Sequence, residues 1–344
     1  MSSSLVVTFG ELMLRLSPPG SERFLQSPAF SATFGGGEAN VAVSLAQLGL
    51  RSRFVSCLPA NPIGDAAIRT LRAEGIDVGS IHRSGSRVGI YFAENGASQR
   101  ASTVVYDRAH SAISEMPADA IDWPAALDGA AWFHFTGITP ALSANAASAT
   151  AAALAAARAA GARVSVDLNF RRKLWTEARA REVMIPLVRN VDLVIANEED
   201  LQSVLGIEVR GTDVTAGELD VRAFEGAARQ VARDFCVGRV AITLRESRSA
   251  SDNGWSALLW DAGSGALHRS QSYAIRIVDR IGGGDSFAAG LIYGLLTNRA
   301  PDDALRFAVA ASALKHTIPG DFNRVTVDEV DRLAAGDGSG RVQR

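Results

Sequence analysis

The sequence predicts an α/β protein, a mainly parallel β-sheet covered by helices on both faces with a small β-sheet attached as a lid. Three observations carry this reading. Short β-rich apolar runs alternate with amphipathic helical stretches over most of the length, the pattern of parallel strands joined by helical crossovers. Two stretches break the alternation, about 13–36 and about 87–112, with strand and turn signals and no helix between them. A chain of 344 residues, 47% hydrophobic and 21% charged, can also bury one large core.

The elements follow in chain order. Strands are expected at 5–9, 53–57, 131–135, 163–168, 191–196 and 239–243, where β-branched, aromatic and other apolar residues run together. Helices are expected at 41–48, 66–74, 143–160, 224–235, 286–296 and 302–316, from apolar spacing of three and four. The alanine-rich stretch 146–160 contains Arg158 and few large apolar residues, so it reads as a soluble helix. The division expected is a core of 1–12, 37–86 and 113–335, a β lid of 13–36 and 87–112, and a disordered tail at 336–344.

Composition excludes several classes. The formal charge of −2 gives no sign of a nucleic-acid or membrane partner. Lys173 and Lys315 are the only lysines, and no G-x-x-x-x-G-K-[ST] exists, so a phosphate site built on a glycine-loop lysine is ruled out. Cys57 and Cys236 are too few and too separated for a disulfide framework or a zinc site. The start lacks a basic segment followed by a long apolar run, so no secretory signal is evident and a cytoplasmic protein is expected.

The most informative segment is Asp279-Arg-Ile-Gly282-Gly283-Gly284-Asp285. Its glycines remove Cβ atoms where a backbone must approach a ligand, and they lead into a helix N-terminus, an anion site. A carboxylate among such donors cannot help to bind phosphate, but it can take a proton from a hydroxyl attacking that phosphate. An ordinary glycine turn with Asp285 as a first-turn acid would look the same. Earlier, Gly35-Gly36-Gly37-Glu38-Ala39-Asn40 allows close approach of a polyhydroxy ligand, with Asn40 as donor and acceptor, or else a tight turn before a helix. It is no dinucleotide fingerprint, because Asn40 replaces the third glycine. Arg108 and Arg171 are candidates for a substrate carboxylate, against the alternative of surface ion pairing. Tyr91 and Tyr106 lie in the expected lid, where rings could cover a sugar or merely pack. Asn197-Glu198-Glu199-Asp200 follows a strand and is either a magnesium and phosphate site or a plain acidic first turn.

With these residues in place the chain resembles the ribokinase-like (PfkB) carbohydrate kinases, from Val6 to about Val330. The resemblance rests on the segment from Phe34 to Gly49 and on that from Asp279 to Gly290. Within the family, Gly137–Ser143, Asp167–Arg171 and Thr317–Asn323 resemble the 2-keto-3-deoxygluconate kinases. The resemblance implies a three-layer αβα core with a small β-sheet lid, and ATP and Mg²⁺ as cofactors. The implied reaction is phosphorylation of a sugar acid, 2-keto-3-deoxy-D-gluconate giving its 6-phosphate. Asp285 becomes the catalytic base and Gly282, Gly283 and Gly284 the anion hole. Gly35, Gly36, Asn40, Tyr91, Tyr106, Arg108 and Arg171 become the sugar-acid site. Asn197, Thr243, Arg245, Gly282, Gly284, Val309 and Ser312 are assigned to the nucleotide, and Asn197 with Asp200 to the metal through water. The chain departs from the family at Asp200, where a glutamate is usual, and at Arg280, where many relatives have threonine. It departs again at 243–255, a longer polar loop without glycine until its end. A homo-oligomer, dimer or higher, is the expected assembly. The alternatives are a fructokinase- or ribokinase-type enzyme and a non-catalytic sugar-acid sensor; a dehydrogenase lacks its fingerprint.

Overall fold

The apolar run Leu193–Ala196 is buried throughout, whereas Met13–Ser17 alternates between buried and half-buried residues and Thr103–Asp107 is largely exposed. In the computed structural model of the protein, residues 4–209 and 221–340 are described. The strands are β1 (Leu5–Phe9), β2 (Met13–Ser17), β3 (Ser31–Gly35), β4 (Arg51–Leu58), β5 (Ile81–Arg83), β6 (Gly89–Glu94), β7 (Thr103–Asp107), β8 (Ala130–Thr136), β9 (Arg163–Asp167), β10 (Leu193–Ala196), β11 (Arg239–Ser247), β12 (Asp252–Asp261), β13 (Ala266–Arg269) and β14 (Tyr273–Arg276). The helices are α1 (Gly37–Gln47), α2 (Pro62–Ala73), α3 (Ala112–Glu115), α4 (Trp123–Ala126), α5 (Ile138–Ala141), α6 (Ala144–Ala159), α7 (Glu177–Val188), α8 (Glu198–Asp200), α9 (Val221–Phe235), α10 (Gly283–Leu296), α11 (Pro301–Lys315) and α12 (Val327–Ala334), with a π-helical turn at Leu201–Leu205.

The large sheet has ten strands, in the order β13-β12-β11-β10-β9-β8-β1-β4-β5, with β14 also on β12. From β5 to β11 neighbours are parallel, and β12, β13 and β14 add antiparallel pairs at one edge. Strands β1 and β10 are buried along their whole length, as a parallel sheet covered on both faces requires. Residues of α6, α7 and α9 form one core layer, and those of α1, α10 and α11 form the other. Ala149, Ala153 and Ala157 put small side chains on the buried stripe of α6, and the Ser143 hydroxyl caps its start by accepting from Ala146 N.

The second sheet has four strands in the order β3-β2-β6-β7, drawn from the two helix-poor stretches. The structure differs from expectation in several places. Helices α1 and α10 begin within their glycine runs, at Gly37 and Gly283, earlier than expected, with Gly36 and Gly282 as the residues that precede them. Two further helices are present, α7, whose pattern is interrupted by Pro186, and α12, which starts from a Thr326–Glu329 capping box. Residues 243–255 are not an extended loop. Strand β11 continues to Ser247, turns over 248–251 and returns as β12, with Arg245 opposite Trp255. Of the expected disordered tail, 336–340 are turn and irregular chain, and 341–344 lie outside the described residues. Among the described residues no helix is long and apolar enough to cross a membrane.

Candidate active site

Parallel strands end together, so residues just beyond β8, β9, β10 and β11 meet at one edge of the large sheet, the usual place for ligands in such folds. A cavity of about 800 Å³ opens there, with Tyr91, Val104 and Tyr106 of the small sheet on its other side.

Asp285 is in the first turn of α10 and lines this cavity. Its Oδ2 accepts from Asn40 Nδ2 at 2.7 Å, and Asn40 Oδ1 accepts from Gly36 N at 3.2 Å. Asn40 therefore aims the carboxylate and ties it to the early glycine run. Burial pushes the Asp285 carboxyl up to about 6, and Asp321 adds to this, while Asn40, Arg171 and Lys315 oppose it. Such a group is ionised at neutral pH and still basic enough to accept a proton.

The glycines divide by role. Gly282 has φ 83, left-handed backbone, and a Cβ there would lie 2.1 Å from Asp321 O. A Cβ on Gly283 would meet the His316 ring at 2.4 Å, whereas Gly284 faces open space. Gly282 and Gly284 line the cavity; Gly283 is buried beneath them. The early run corrects its sequence reading. Side chains on Gly35 and Gly36 would strike Asp321 and the Glu11 carbonyl, so protein packing explains them. Gly36, Gly37 and Asn40 line the cavity, and Gly35 lies behind it.

On the side of the small sheet the charges are already matched. Arg108 lines the cavity, but its Nε donates to Glu11 Oε2 at 2.8 Å and one terminal nitrogen bonds the same oxygen. Glu11 Oε1 accepts from the Ser111 hydroxyl at 2.8 Å. The Arg108 fork thus meets the cavity with one edge spent, its carbon 5.2 Å from the Tyr106 ring centre. Tyr91 and Tyr106 have ring centres 6.0 Å apart, and the Tyr91 hydroxyl donates to Asp321. Arg15 of β2 bridges Asp279 and Asp321, each at 2.7 Å. Arg171, by contrast, forms no ion pair among the described residues; its Nη1 donates to Phe170 O at 3.0 Å.

Around β10 and β11, Asn197 and Asp200 form a capping box that also reaches the segment after β9. Asp200 Oδ2 accepts from Asn197 N, its Oδ1 accepts from Phe170 N at 2.8 Å, and Asn197 Oδ1 accepts from Asp200 N at 2.9 Å. The Asn197 oxygen is therefore occupied, and its amide donor is the group left for a ligand. Burial raises the Asp200 carboxyl to about 6. Asp167, at the end of β9, is raised well above its usual range by burial, reinforced by Asp200 and Asp285. Asn169 beside it has φ 40, a conformation uncommon outside glycine and one that recurs at functional sites. Thr243 and Arg245 line the cavity, as do Arg280, His316 and Trp255, whose rings lie 5.4 Å apart. Val309 and Ser312 do not reach it. Both are fully buried in α11, and the Ser312 hydroxyl donates to Gly283 O at 2.7 Å.

Sequence reasoning assigned no role to Glu11, Glu38, Asp167 or Asp321. Glu38 is wholly buried, and its Oε1 accepts from Thr136 N, Thr136 Oγ1 and Thr139 Oγ1 at 3.0, 2.8 and 2.6 Å, fixing α1 to β8. A buried acid inside a glycine motif was the available signal for Glu38, and the quoted motifs contained Asp167 and Asp321.

Comparison with known proteins agrees with this arrangement. The model for "pfkB family carbohydrate kinase" matches residues 3–324. The 2-dehydro-3-deoxygalactonokinase of Haloferax volcanii is 34% identical over 335 residues, covering 97% of this chain and 98% of that protein. The 2-dehydro-3-deoxygluconokinase of Bacillus subtilis is 29% identical over 331 residues, covering 94% and 93%. The crystal structure of 2-dehydro-3-deoxygluconokinase from Thermotoga maritima superposes with a TM-score of 0.93 at 51% identity, covering 97% of this chain and 100% of that one. A carboxylate at a glycine-led helix start, the two-sheet fold and these matches together establish that the chain belongs to the pfkB family of carbohydrate kinases.

Proposed function

We propose that the protein transfers the γ-phosphoryl group of ATP to the 6-hydroxyl of 2-keto-3-deoxy-D-gluconate. The observation that carries this is Asp285, aimed by Asn40 into a cavity that also holds the unpaired guanidinium of Arg171. The Asp285 carboxylate takes the hydroxyl proton as the O6–P bond forms and the bond from Pγ to the bridging oxygen breaks, releasing ADP. The N–H groups at Gly282 and Gly284 face the charge on the moving phosphoryl group. Arg171 grips the substrate carboxylate, with the free edge of Arg108 assisting. Strands β2, β3, β6 and β7 act as a lid that keeps out water, which would otherwise take the phosphate.

Asp167 and Asp200 bring hard oxygens to the cavity wall, and two carboxylates completed by water and phosphate oxygens suit magnesium. Because both Asp200 oxygens already hold backbone N–H groups, its part is through water, with Asn197 Nδ2 left for a phosphate oxygen. Magnesium, when bound, supplies charge neutralisation on the phosphates. We place the enzyme in the cytoplasm as a homo-oligomer; sedimentation as a monomer would remove that part.

The substrate names of the relatives support a keto-deoxy sugar acid and leave two epimers to compare. The test is ATP-dependent phosphorylation of 2-keto-3-deoxy-D-gluconate, its galacto epimer, fructose and ribose. Both sugar acids should exceed both neutral sugars in kcat/KM. Preference for a neutral sugar would overturn the reading, and binding without turnover would favour a sensor.

A further inference from the structure

Arg280 departs from the family pattern, and the reading above gives it no task. It sits two residues ahead of Gly282 and lines the cavity with Gly282, Gly284 and Arg245. One terminal nitrogen donates to Ala250 O at 2.9 Å, so the side chain is fastened to the turn of the β11–β12 hairpin. Its Nε is buried with no hydrogen-bond partner, an unusual state for a charged donor. Asp279, next to it in sequence, is already held by Arg15 at 2.7 Å. Among the described residues neither Arg280 nor Arg245 forms an ion pair.

Two guanidiniums that share a cavity wall repel each other. Burial lowers the Arg280 pKa from its usual value and Arg245 lowers it further, while Asp279 opposes both. A polyanion lying between them would cancel this repulsion and satisfy Nε. Arginine's planar fork suits phosphate oxygens, and the first turn of α10 offers N–H donors beside it. The same hairpin turn is bonded to the small sheet, since Ala250 N donates to Ser98 O at 2.7 Å and Ser98 N donates to Ser251 Oγ at 2.9 Å. The chain has two lysines, and the one near this loop, Lys315, is fully buried and does not line the cavity. The cations that line the cavity are arginines.

We propose that Arg280 and Arg245 form a clamp for the phosphate chain of a nucleoside triphosphate, with the β11–β12 hairpin fixing the spacing of the two arms. The clamp rests on ATP being the donor. Calorimetric titration of wild type, Arg280→Met, Arg280→Lys and Arg245→Met with ATP and with adenosine tests it. Arg280→Met should weaken ATP about tenfold to a hundredfold, the range of one charge-assisted hydrogen bond, and leave adenosine unchanged. Arg280→Lys should recover part of the loss. Arg245 is exposed, so Arg245→Met keeps its fold and should show the same split between ATP and adenosine. Unchanged ATP affinity in both methionine variants, or equal weakening of ATP and adenosine, would overturn the clamp while leaving the donor intact. A wild type that binds no ATP would overturn both.

Discussion

The two sides of the cavity treat charge in opposite ways. Towards the small sheet, Arg15 is bridged by Asp279 and Asp321, and Arg108 is held by Glu11. Towards the hairpin, Arg245 and Arg280 line the same space and form no ion pair among the described residues. Buried pairs of the first kind fix geometry more than they add affinity, because each charge has already traded its water for a partner. Unpaired cations of the second kind keep their attraction for an incoming anion. One side is therefore built as a template and the other as an electrostatic trap. Arg171 stands apart from the template, a free cation facing Asp167, Asp200 and Asp285.

The largest expected effect lies where the two sides meet. Replacing Asp285 with Asn removes the proton acceptor but keeps the shape, and kcat should fall about 10²–10⁴-fold with the thermal transition unchanged. A folded Asp285→Asn enzyme with kcat near wild type would show that the carboxylate is not the base. The pH profile sharpens this. With the carboxyl raised to about 6, among Asn40, Asp167, Asp321, Arg171 and Lys315, the ionised form disappears as pH falls through that value. A base must be ionised, so kcat should decline on the acid side of about 6 and level off above it. Asp285→Asn should lose the part of this limb that Asp285 supplies, leaving only that of Asp200, whose carboxyl is also raised to about 6.

The template itself can be broken by uncoupling Arg108 from Glu11. Arg108→Met alone leaves the Glu11 carboxylate buried without its partner, beside the place of the substrate carboxylate. The double variant Arg108→Met/Glu11→Gln removes that repulsion. It should recover at least about tenfold in kcat/KM for the sugar acid over the single variant, equivalent to ~1.4 kcal/mol. Equal kinetics in the two variants would mean that Glu11 does not govern the site. A smaller effect is expected in the backbone of the small sheet. Hydrogen exchange across 87–112 should slow when sugar acid and a non-hydrolysable nucleotide bind together, and unchanged exchange at saturation would make that sheet a fixed wall.

The same contrast explains what the sequence disclosed. The central strands were legible because Leu193–Ala196 is apolar throughout and Leu5–Phe9 is apolar except for Thr8, as burial on both faces favours. Asp285, Asn40 and the glycines were legible because a motif fixes them to adjacent turns of chain. The hairpin was not, because Arg245 to Ser251 is mostly polar, and Trp255 opposite Arg245 packs against His316, 61 positions away just beyond α11. Helix α7 was hidden by Pro186 and by a weak apolar stripe. Glu11's hold on Arg108 crosses 97 positions, a pairing that local pattern cannot reveal. Val309 and Ser312 carried no local sign that they would turn into the core and not towards the cavity.

The central claim is that a free arginine reads the substrate carboxylate, and wild type against Arg171→Ala on 2-keto-3-deoxy-D-gluconate and on fructose tests it most directly. Wild type should prefer the sugar acid. Arg171→Ala should lose about tenfold to a hundredfold in kcat/KM on the acid, the worth of one charge-assisted hydrogen bond, while its weak activity on fructose stays where it was. Arg171→Lys should recover only part of the loss, since an ammonium keeps the charge without the planar fork. Wild type preferring fructose, or both substrates losing equally from the substitution, would contradict the account.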